Sequence, residues 1–156
     1  MKKLPPFDDL LRGFPAVDAP SVKALVGGQI DAEYLTNMCV VRVTRALNEA
    51  GDLIGPHARG MWTLKGADNK RYGLRVKEFH KYMLETYGKP AVTVKAEAKG
   101  AGVSFLPFVW KRGIMMFDVR GWSDATGHFD LWNGLTNVYH GYFDKASTVH
   151  LWTSDT

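Results

Sequence analysis

Cys39 is the residue best suited to covalent chemistry, and it is the single cysteine of the chain. Cys39, Val43 and Leu47 recur at a spacing of four residues, which predicts an amphipathic helix over residues 38–50 with Asn37 as its N-cap. In the first turn of such a helix, free main-chain N–H groups and the helix dipole stabilise a thiolate. Cys39 is therefore a candidate nucleophile; the competing interpretation is a small core residue on an apolar helix face.

A nucleophilic cysteine needs a general base, and His128 is the candidate. It lies in the run GHFDLWNG, residues 127–134, which is typical of a strand that ends at an Asn-Gly turn. On a strand, one face carries His128, Asp130 and Trp132. The other, which is the core face, carries Phe129 and Leu131. We expect His128 to project toward the helix that carries the cysteine. The alternative is a solvated histidine beside a turn.

A catalytic histidine also needs a group that fixes its tautomer. Asp130 shares the predicted strand face with His128, and His140 would pair across the hairpin if residues 138–143 form a strand. Asp144 follows that strand and is the third candidate. The His-x-Asp triplet could suggest metal binding, but a third ligand is not evident, so no metal is expected.

The elements that must position these residues change in type along the chain. Helices are predicted first: one near Phe7–Phe14, one capped by Ser21 and ended by Gly27, the Cys39 helix, and one over Arg75–Tyr87. Each is an amphipathic stretch that a glycine or proline brings to an end. The N-terminal half is therefore expected to be mainly helical.

From residue 91 onward, short runs rich in Val, Phe, Tyr and Trp predict strands. Residues 51–71, between the two long helices, are predicted to be an ordered loop. The predicted strands are Ala91–Val94, Phe105–Trp110, Ile114–Val119, Gly127–Trp132, Val138–Phe143 and Thr148–Trp152. Helices first and strands later predict an α+β fold, with a helical half packed on a mostly antiparallel sheet.

Composition limits the possible classes of protein. A chain of 156 residues fits one domain, here residues 1–156, and 46% hydrophobic residues exclude wholesale disorder. No apolar run approaches the roughly 20 residues that span a bilayer, so no membrane insertion is expected. The net charge of +4 comes from scattered Lys and Arg, so a nucleic-acid partner is not predicted. The N-terminus shows no signal-peptide pattern.

Short motifs also follow one another in a recognisable order and spacing. They are Gly27-Gly28, Asn37-x-Cys39 with Arg42, Ala46-Leu47-Asn48, Gly66–Lys70 with Tyr72, Arg75-Val76, Gly88-Lys89-Pro90, Gly113-Ile114, Gly121-Trp122-Ser123, Gly127-His128-x-x-Leu131-Trp132-Asn133-Gly134 and Leu151-Trp152. On these motifs the chain resembles the type VI secretion amidase effectors of the fourth family, over nearly its whole length.

The resemblance implies a papain-like, NlpC-type amidase fold in which Cys39 is the nucleophile and His128 the general base. It implies hydrolysis of the γ-D-glutamyl–meso-diaminopimelic acid bond in peptidoglycan stem peptides, with no cofactor. It also implies delivery into the periplasm of a rival bacterium by the type VI secretion apparatus, which agrees with the missing signal peptide. A cognate immunity protein would plug the cleft.

The third catalytic residue departs from the family pattern. The relatives have an aspartate after the Leu-Trp-Asn-Gly turn, in a loop stapled by two cysteines, whereas Tyr139 occupies that place here. In NlpC-type enzymes a histidine often fills it, so His140 is the first choice, with Asp130 and Asp144 as alternatives. The Cys39 main-chain N–H is expected to hold the oxyanion.

Two non-enzymatic interpretations remain: a peptidoglycan-binding module that keeps the fold, and a protein-interaction domain that uses its aromatic residues and basic surface. If the protein is an enzyme, Arg42, Lys70 or Arg71 could meet substrate carboxylates.

Overall fold

The computed structural model describes residues 1–56, 58–119 and 127–154. His57 and the Gly121-Trp122-Ser123 motif lie outside these ranges. The helices are Phe7–Gly13 (α1), Ala19–Val26 (α2), Cys39–Glu49 (α3) and Val76–Tyr87 (α4), with short 3₁₀ turns at Gly28–Ile30, Ala58–Gly60 and Leu106–Phe108. The strands are Thr63–Lys65 (β1), Arg71–Gly73 (β2), Val92–Lys95 (β3), Gly113–Asp118 (β4), Gly127–Trp132 (β5) and Thr148–Thr153 (β6).

The strands form two antiparallel sheets. β1 and β2 form a small hairpin, and the main sheet has the order β3-β6-β4-β5. All neighbouring strands of the main sheet run antiparallel, and β5 pairs with β4 in register from Gly113–Trp132 to Asp118–Gly127. All four helices of the described residues precede the strands of the main sheet along the chain. The predicted α+β fold is confirmed.

Apolar side chains cover both faces of the main sheet. On the side of α1, α3 and α4, the core includes Phe79, Met83 and Phe129. On the opposite side, Phe117 and Trp132 belong to a second cluster. Every residue of β5 is buried as a result, including its polar ones. The burial of each large apolar side chain contributes roughly 1.5–3 kcal/mol.

Helix α3 is central in the protein because it packs against α1, β2 and β5. Arg42 on this helix is only 5% exposed although it carries a charge. Asn48 connects the helix to its surroundings: its Nδ2 donates to Arg71 O at 2.7 Å, and its Oδ1 accepts from Ile54 N at 2.9 Å. These bonds connect the C-terminal end of α3 to the start of β2 and to the segment that follows the helix.

Two predicted strands are wrong. Residues 105–110 contain a 3₁₀ turn at Leu106–Phe108 and no strand, and Pro107 has no N–H to donate to a sheet. Residues 138–143 form no regular strand; their pairing with β5 ends at an Asn137–Trp132 bridge and one bond from Val138 N to Leu131 O. The β1–β2 hairpin was not predicted: β1 and the first residue of β2 lie in the stretch 51–71, which was expected to be a loop.

Candidate active site

Cys39 is the first residue of α3, as the sequence predicts. The N-cap is Met38 rather than Asn37. The Asn37 side chain nevertheless binds the helix start, because its Oδ1 accepts the Cys39 main-chain N–H at 3.0 Å. This N–H was expected to hold an oxyanion, and in the free protein it is already engaged.

The Cys39 thiol is not a preformed thiolate. The side chain is 1% exposed, and burial raises its pKa to about 11. Hydrogen bonds from the Phe129 and Val40 main-chain N–H groups and the charge of Arg42 lower the pKa, but they do not outweigh desolvation. The expectation that the helix start stabilises a thiolate is therefore wrong for the free protein.

His128 lies on β5 and is 9% exposed. Its Nε2 lies 3.0 Å from the main-chain oxygen of His140. A carbonyl oxygen only accepts hydrogen bonds, so Nε2 carries the proton and the lone pair of the neutral ring is on Nδ1. Burial lowers the pKa of His128 to about 4, against a smaller opposite effect of the His140 carbonyl. The ring is therefore neutral at pH 7.

Strand β5, which carries His128, packs against α3, the helix that begins at Cys39. Phe129, which follows His128, packs in the same core cluster as Cys39, and its main-chain N–H lowers the pKa of the thiol. A groove of about 360 Å³ lies here, lined by residues that flank both side chains: Ala19, Thr36, Asn37, Met38, Arg42, Gly127, His128, Tyr139, His140 and Tyr142. His128 thus lines the groove, whereas the buried Cys39 thiol lies behind its wall.

The three candidates for the third catalytic position lie in different environments. The ring of His140 is 6.5 Å from that of His128, centroid to centroid, and the hydrogen bond between the two residues comes from the His140 main chain. Asp130 is 1% exposed, and its Oδ2 accepts the main-chain N–H groups of Tyr139 and His140, both at 3.0 Å. Burial raises the pKa of Asp130 to about 7. Asp144 is exposed and is not among the described residues that line the groove.

Arg42 and two tyrosines form much of the groove wall. The Arg42 side chain donates to Val17 O from Nε and Nη2, at 3.3 and 3.0 Å, and its guanidinium lies 4.0 Å from the Tyr139 ring centre. The Tyr142 ring is 4.9 Å from that of His128. Sequence reasoning considered neither tyrosine as a wall residue; the only available signal was the aromatic content of the run 138–143.

The other two basic candidates lie elsewhere. Lys70 pairs with Glu49 at 3.3 Å, and Arg71 begins strand β2. Neither is among the described residues that line the groove. Of the three predicted contacts for a substrate carboxylate, only Arg42 is in position to serve.

In the described part of the chain, no group of three or more His, Cys, Asp or Glu side chains is arranged to hold a metal ion. None of the helices formed by these residues has both the length and the apolar character that crossing a membrane requires.

Comparison with known proteins identifies the family. The sequence profile of the family described as type VI secretion system (T6SS), amidase effector protein 4 (Tae4) matches residues 35–152, most of the chain. The chain belongs to the Tae4 family. The matched range contains both Cys39 and His128. A comparison with curated protein sequences gave no match.

Solved Tae4 structures share the fold along almost the whole chain. One similar structure is Tae4 from Enterobacter cloacae, with a TM-score of 0.86 and 28% identity over 99% of this chain and 100% of that one. Another is the effector–immunity complex Tae4–Tai4 from Salmonella Typhimurium, with a TM-score of 0.85 and 28% identity over 96% of this chain and 98% of that one. The sequence-based assignment to the amidase effectors of type VI secretion is confirmed.

Proposed function

We propose that this Tae4 family member is a peptidoglycan amidase toxin in which Cys39 is the nucleophile and His128 the general base. Its substrate is the γ-D-glutamyl–meso-diaminopimelic acid bond of cell-wall stem peptides. The observation that carries the proposal is a groove lined both by His128 and by Asn37 and Met38, the two residues before Cys39 at the start of α3, a helix that packs against β5.

The protonation states indicate how the reaction begins. Cys39 has a raised pKa and His128 a lowered one, so the free protein holds a neutral thiol and a neutral imidazole. The Nδ1 lone pair of His128 takes the S–H proton as the sulfur attacks the amide carbonyl carbon. The protonated ring then gives this proton to the leaving amine. Water, deprotonated by the same nitrogen, hydrolyses the thioester and regenerates the thiol.

Two features of the free protein must change when substrate binds. The thiol is 1% exposed, so side chains of the groove wall must shift to admit a scissile carbonyl. Asn37 must release the Cys39 N–H if that group is to stabilise the oxyanion. Arg42, in the groove wall, supplies a cation for a stem-peptide carboxylate.

The site of action follows from the family. We propose that residues 1–156 act as one amidase domain, which the type VI secretion apparatus delivers into the periplasm of a target cell. The relatives in the Tae4–Tai4 structures are bound to immunity proteins. By analogy, a cognate immunity protein binds this chain over the groove and blocks substrate entry.

The test is digestion of purified sacculi, with the products read by mass spectrometry. Wild type should release fragments with new diaminopimelate amine ends, and both Cys39→Ala and His128→Ala should release none. His80→Ala is the matched control, since this half-buried histidine lies near His150 and Trp152, away from the groove. Unchanged muropeptides with wild type would refute the proposal.

The buried thiol with its raised pKa favours a second candidate, a non-catalytic peptidoglycan-binding module. Such a module would sediment with sacculi without releasing amine ends. Its binding would also be the same in wild type and in Cys39→Ala.

A further inference from the structure

We infer that the main-chain carbonyl of His140 is the group that orients His128, and that Asp130 is the positioning residue that holds this carbonyl in place. The inference rests on the proposed function for its role in catalysis. It assigns the third position of the catalytic group to a backbone oxygen instead of to the side chain of His140, Asp130 or Asp144.

The carbonyl makes the contact that an orienting residue must make. It accepts the Nε2–H of His128 at 3.0 Å, which fixes the tautomer and leaves Nδ1 free for the thiol proton. The ring of His140 is not needed for this bond. Among the described residues that line the groove there is no carboxylate that could replace it.

Asp130 fixes the peptide that carries the carbonyl. One carboxylate oxygen accepts two consecutive main-chain N–H groups, those of Tyr139 and His140, at 3.0 Å each. In the segment 138–143, these two N–H groups therefore bind a side chain instead of a neighbouring strand. Since Asp130 and His128 are two residues apart on β5, one strand holds both the ring and its acceptor.

Packing limits other conformations of this segment. A Cβ added at Gly141 would collide with the Asn137 side-chain oxygen. Asn137 itself donates from Nδ2 to Leu131 O at 3.4 Å. Tyr139, which occupies the place of the family's aspartate, is held under the Arg42 guanidinium. The segment that presents the carbonyl is therefore held on both sides of His140.

The Oδ1 atom of Asp130 is buried, and no described residue makes a hydrogen bond to it. Only the oxygen that holds the two N–H groups is needed for positioning. Asp130→Asn keeps such an acceptor and loses the charge, whereas Asp130→Leu loses both. The pair of variants therefore separates hydrogen bonding from electrostatics.

The first measurement is the ¹⁵N NMR spectrum of His128, which reports the tautomer independently of activity. Wild type, Asp130→Asn and His140→Ala should show the Nε2–H form, whereas Asp130→Leu should show a mixture. Asp68→Asn is the matched control, since Asp68 also accepts a main-chain N–H, that of Lys70 at 2.9 Å, outside the groove. An unchanged tautomer in Asp130→Leu, or its loss in His140→Ala, would overturn the inference.

Activity on soluble muropeptides is the second measurement, with Cys39→Ala as baseline. Asp130→Leu should lower kcat on the order of 10²-fold with little change in KM, the effect of a misplaced catalytic group. Asp130→Asn should restore most of this loss, and His140→Ala should cost less than Asp130→Leu. Equal kcat in Asp130→Leu and wild type would contradict the inference while leaving the proposed function intact.

If Asp130→Leu does not fold, hydrogen exchange of the wild-type amides tests the inference without any variant. The Tyr139 and His140 amides should exchange slowly because both are bound to Asp130. Exchange at unprotected rates would remove the basis of the inference. If wild type does not cleave muropeptides, the proposed function fails, and the tautomer and exchange results still decide whether the carbonyl is held.

Discussion

The reactivity of Cys39 provides the sharpest test of the site's electrostatics. With a pKa of about 11, the thiolate fraction at pH 7 is about 10⁻⁴, against about 0.03 for an ordinary cysteine of pKa about 8.5. Alkylation by iodoacetamide at pH 7 should therefore be about 300-fold slower than for a free thiol, before any further slowing by burial. The rate should rise about tenfold per pH unit from pH 6 to 9, because only the thiolate reacts.

The assay is simple because Cys39 is the single cysteine, so one mass increment reports one site. The same protein unfolded in urea serves as the free-thiol reference. Folded protein that alkylates at pH 6 as fast as the unfolded chain, or at a rate independent of pH between 6 and 8, would refute the reasoning. That result would show a thiolate–imidazolium pair in the resting protein.

Three further changes test the environment of the site. His128 has a folded-state pKa of about 4 against 6.5, so the folded protein binds fewer protons between these values and loses stability as pH falls. From pH 7 to 4.5, urea unfolding should show His128→Gln gaining about 2 kcal/mol relative to wild type. Gly28→Ala should cost about 2 kcal/mol or more in the same assay, since φ is +57° and the new Cβ would lie 2.6 Å from Gly66 C. Asn37→Ala should cost about 1 kcal/mol, because the Cys39 N–H loses its acceptor.

Each of these changes has its own control or contradicting result. An equal stability difference between His128→Gln and wild type at both pH values would show that burial does not depress the histidine's pKa. Gly55→Ala is the matched glycine control, since nothing lies within 4 Å of its Cβ position, and it should be nearly neutral. Asn37→Asp keeps the acceptor and should retain stability. A loss equal to that of Asn37→Ala would assign the effect to something other than the hydrogen bond.

Periodicity predicted the elements that carry the proposed catalytic pair, Cys39 and His128. Helix α3 and strand β5 lie where the sequence indicates, because each is set by local apolar spacing and bounded by a glycine or a turn. Helix α2 is an instructive near miss: Ser21 was the predicted cap, whereas Asp18 caps the helix and accepts the Ser21 N–H at 2.8 Å. Capping residues lie within a few positions of one another, so spacing alone does not choose between them.

The failed predictions concern long-range interactions, which leave no periodic pattern in the sequence. In the segment 138–143, the N–H groups of Tyr139 and His140 bind the buried carboxylate of Asp130 instead of a neighbouring strand. The raised pKa of Cys39 depends on how completely the core closes around it. Local sequence predicted a helix-start thiolate, but desolvation by distant segments has the larger effect. The His140 main-chain carbonyl, which we propose orients His128, could not be predicted from residue types because every residue has a main-chain carbonyl.

Strand β5 gives the site its precision. Its six residues pair with β4 in one register, and a slip by one residue would turn His128 to the opposite face. Close packing opposes such a slip: a side chain at Gly127 would lie 2.5 Å from Phe117 O. The strand also carries Asp130, and the main-chain N–H of its Phe129 lowers the pKa of the Cys39 thiol. The proposed base, His128, and the proposed positioning residue, Asp130, thus lie two residues apart on one buried element, and the proposal needs no catalytic aspartate in the following loop.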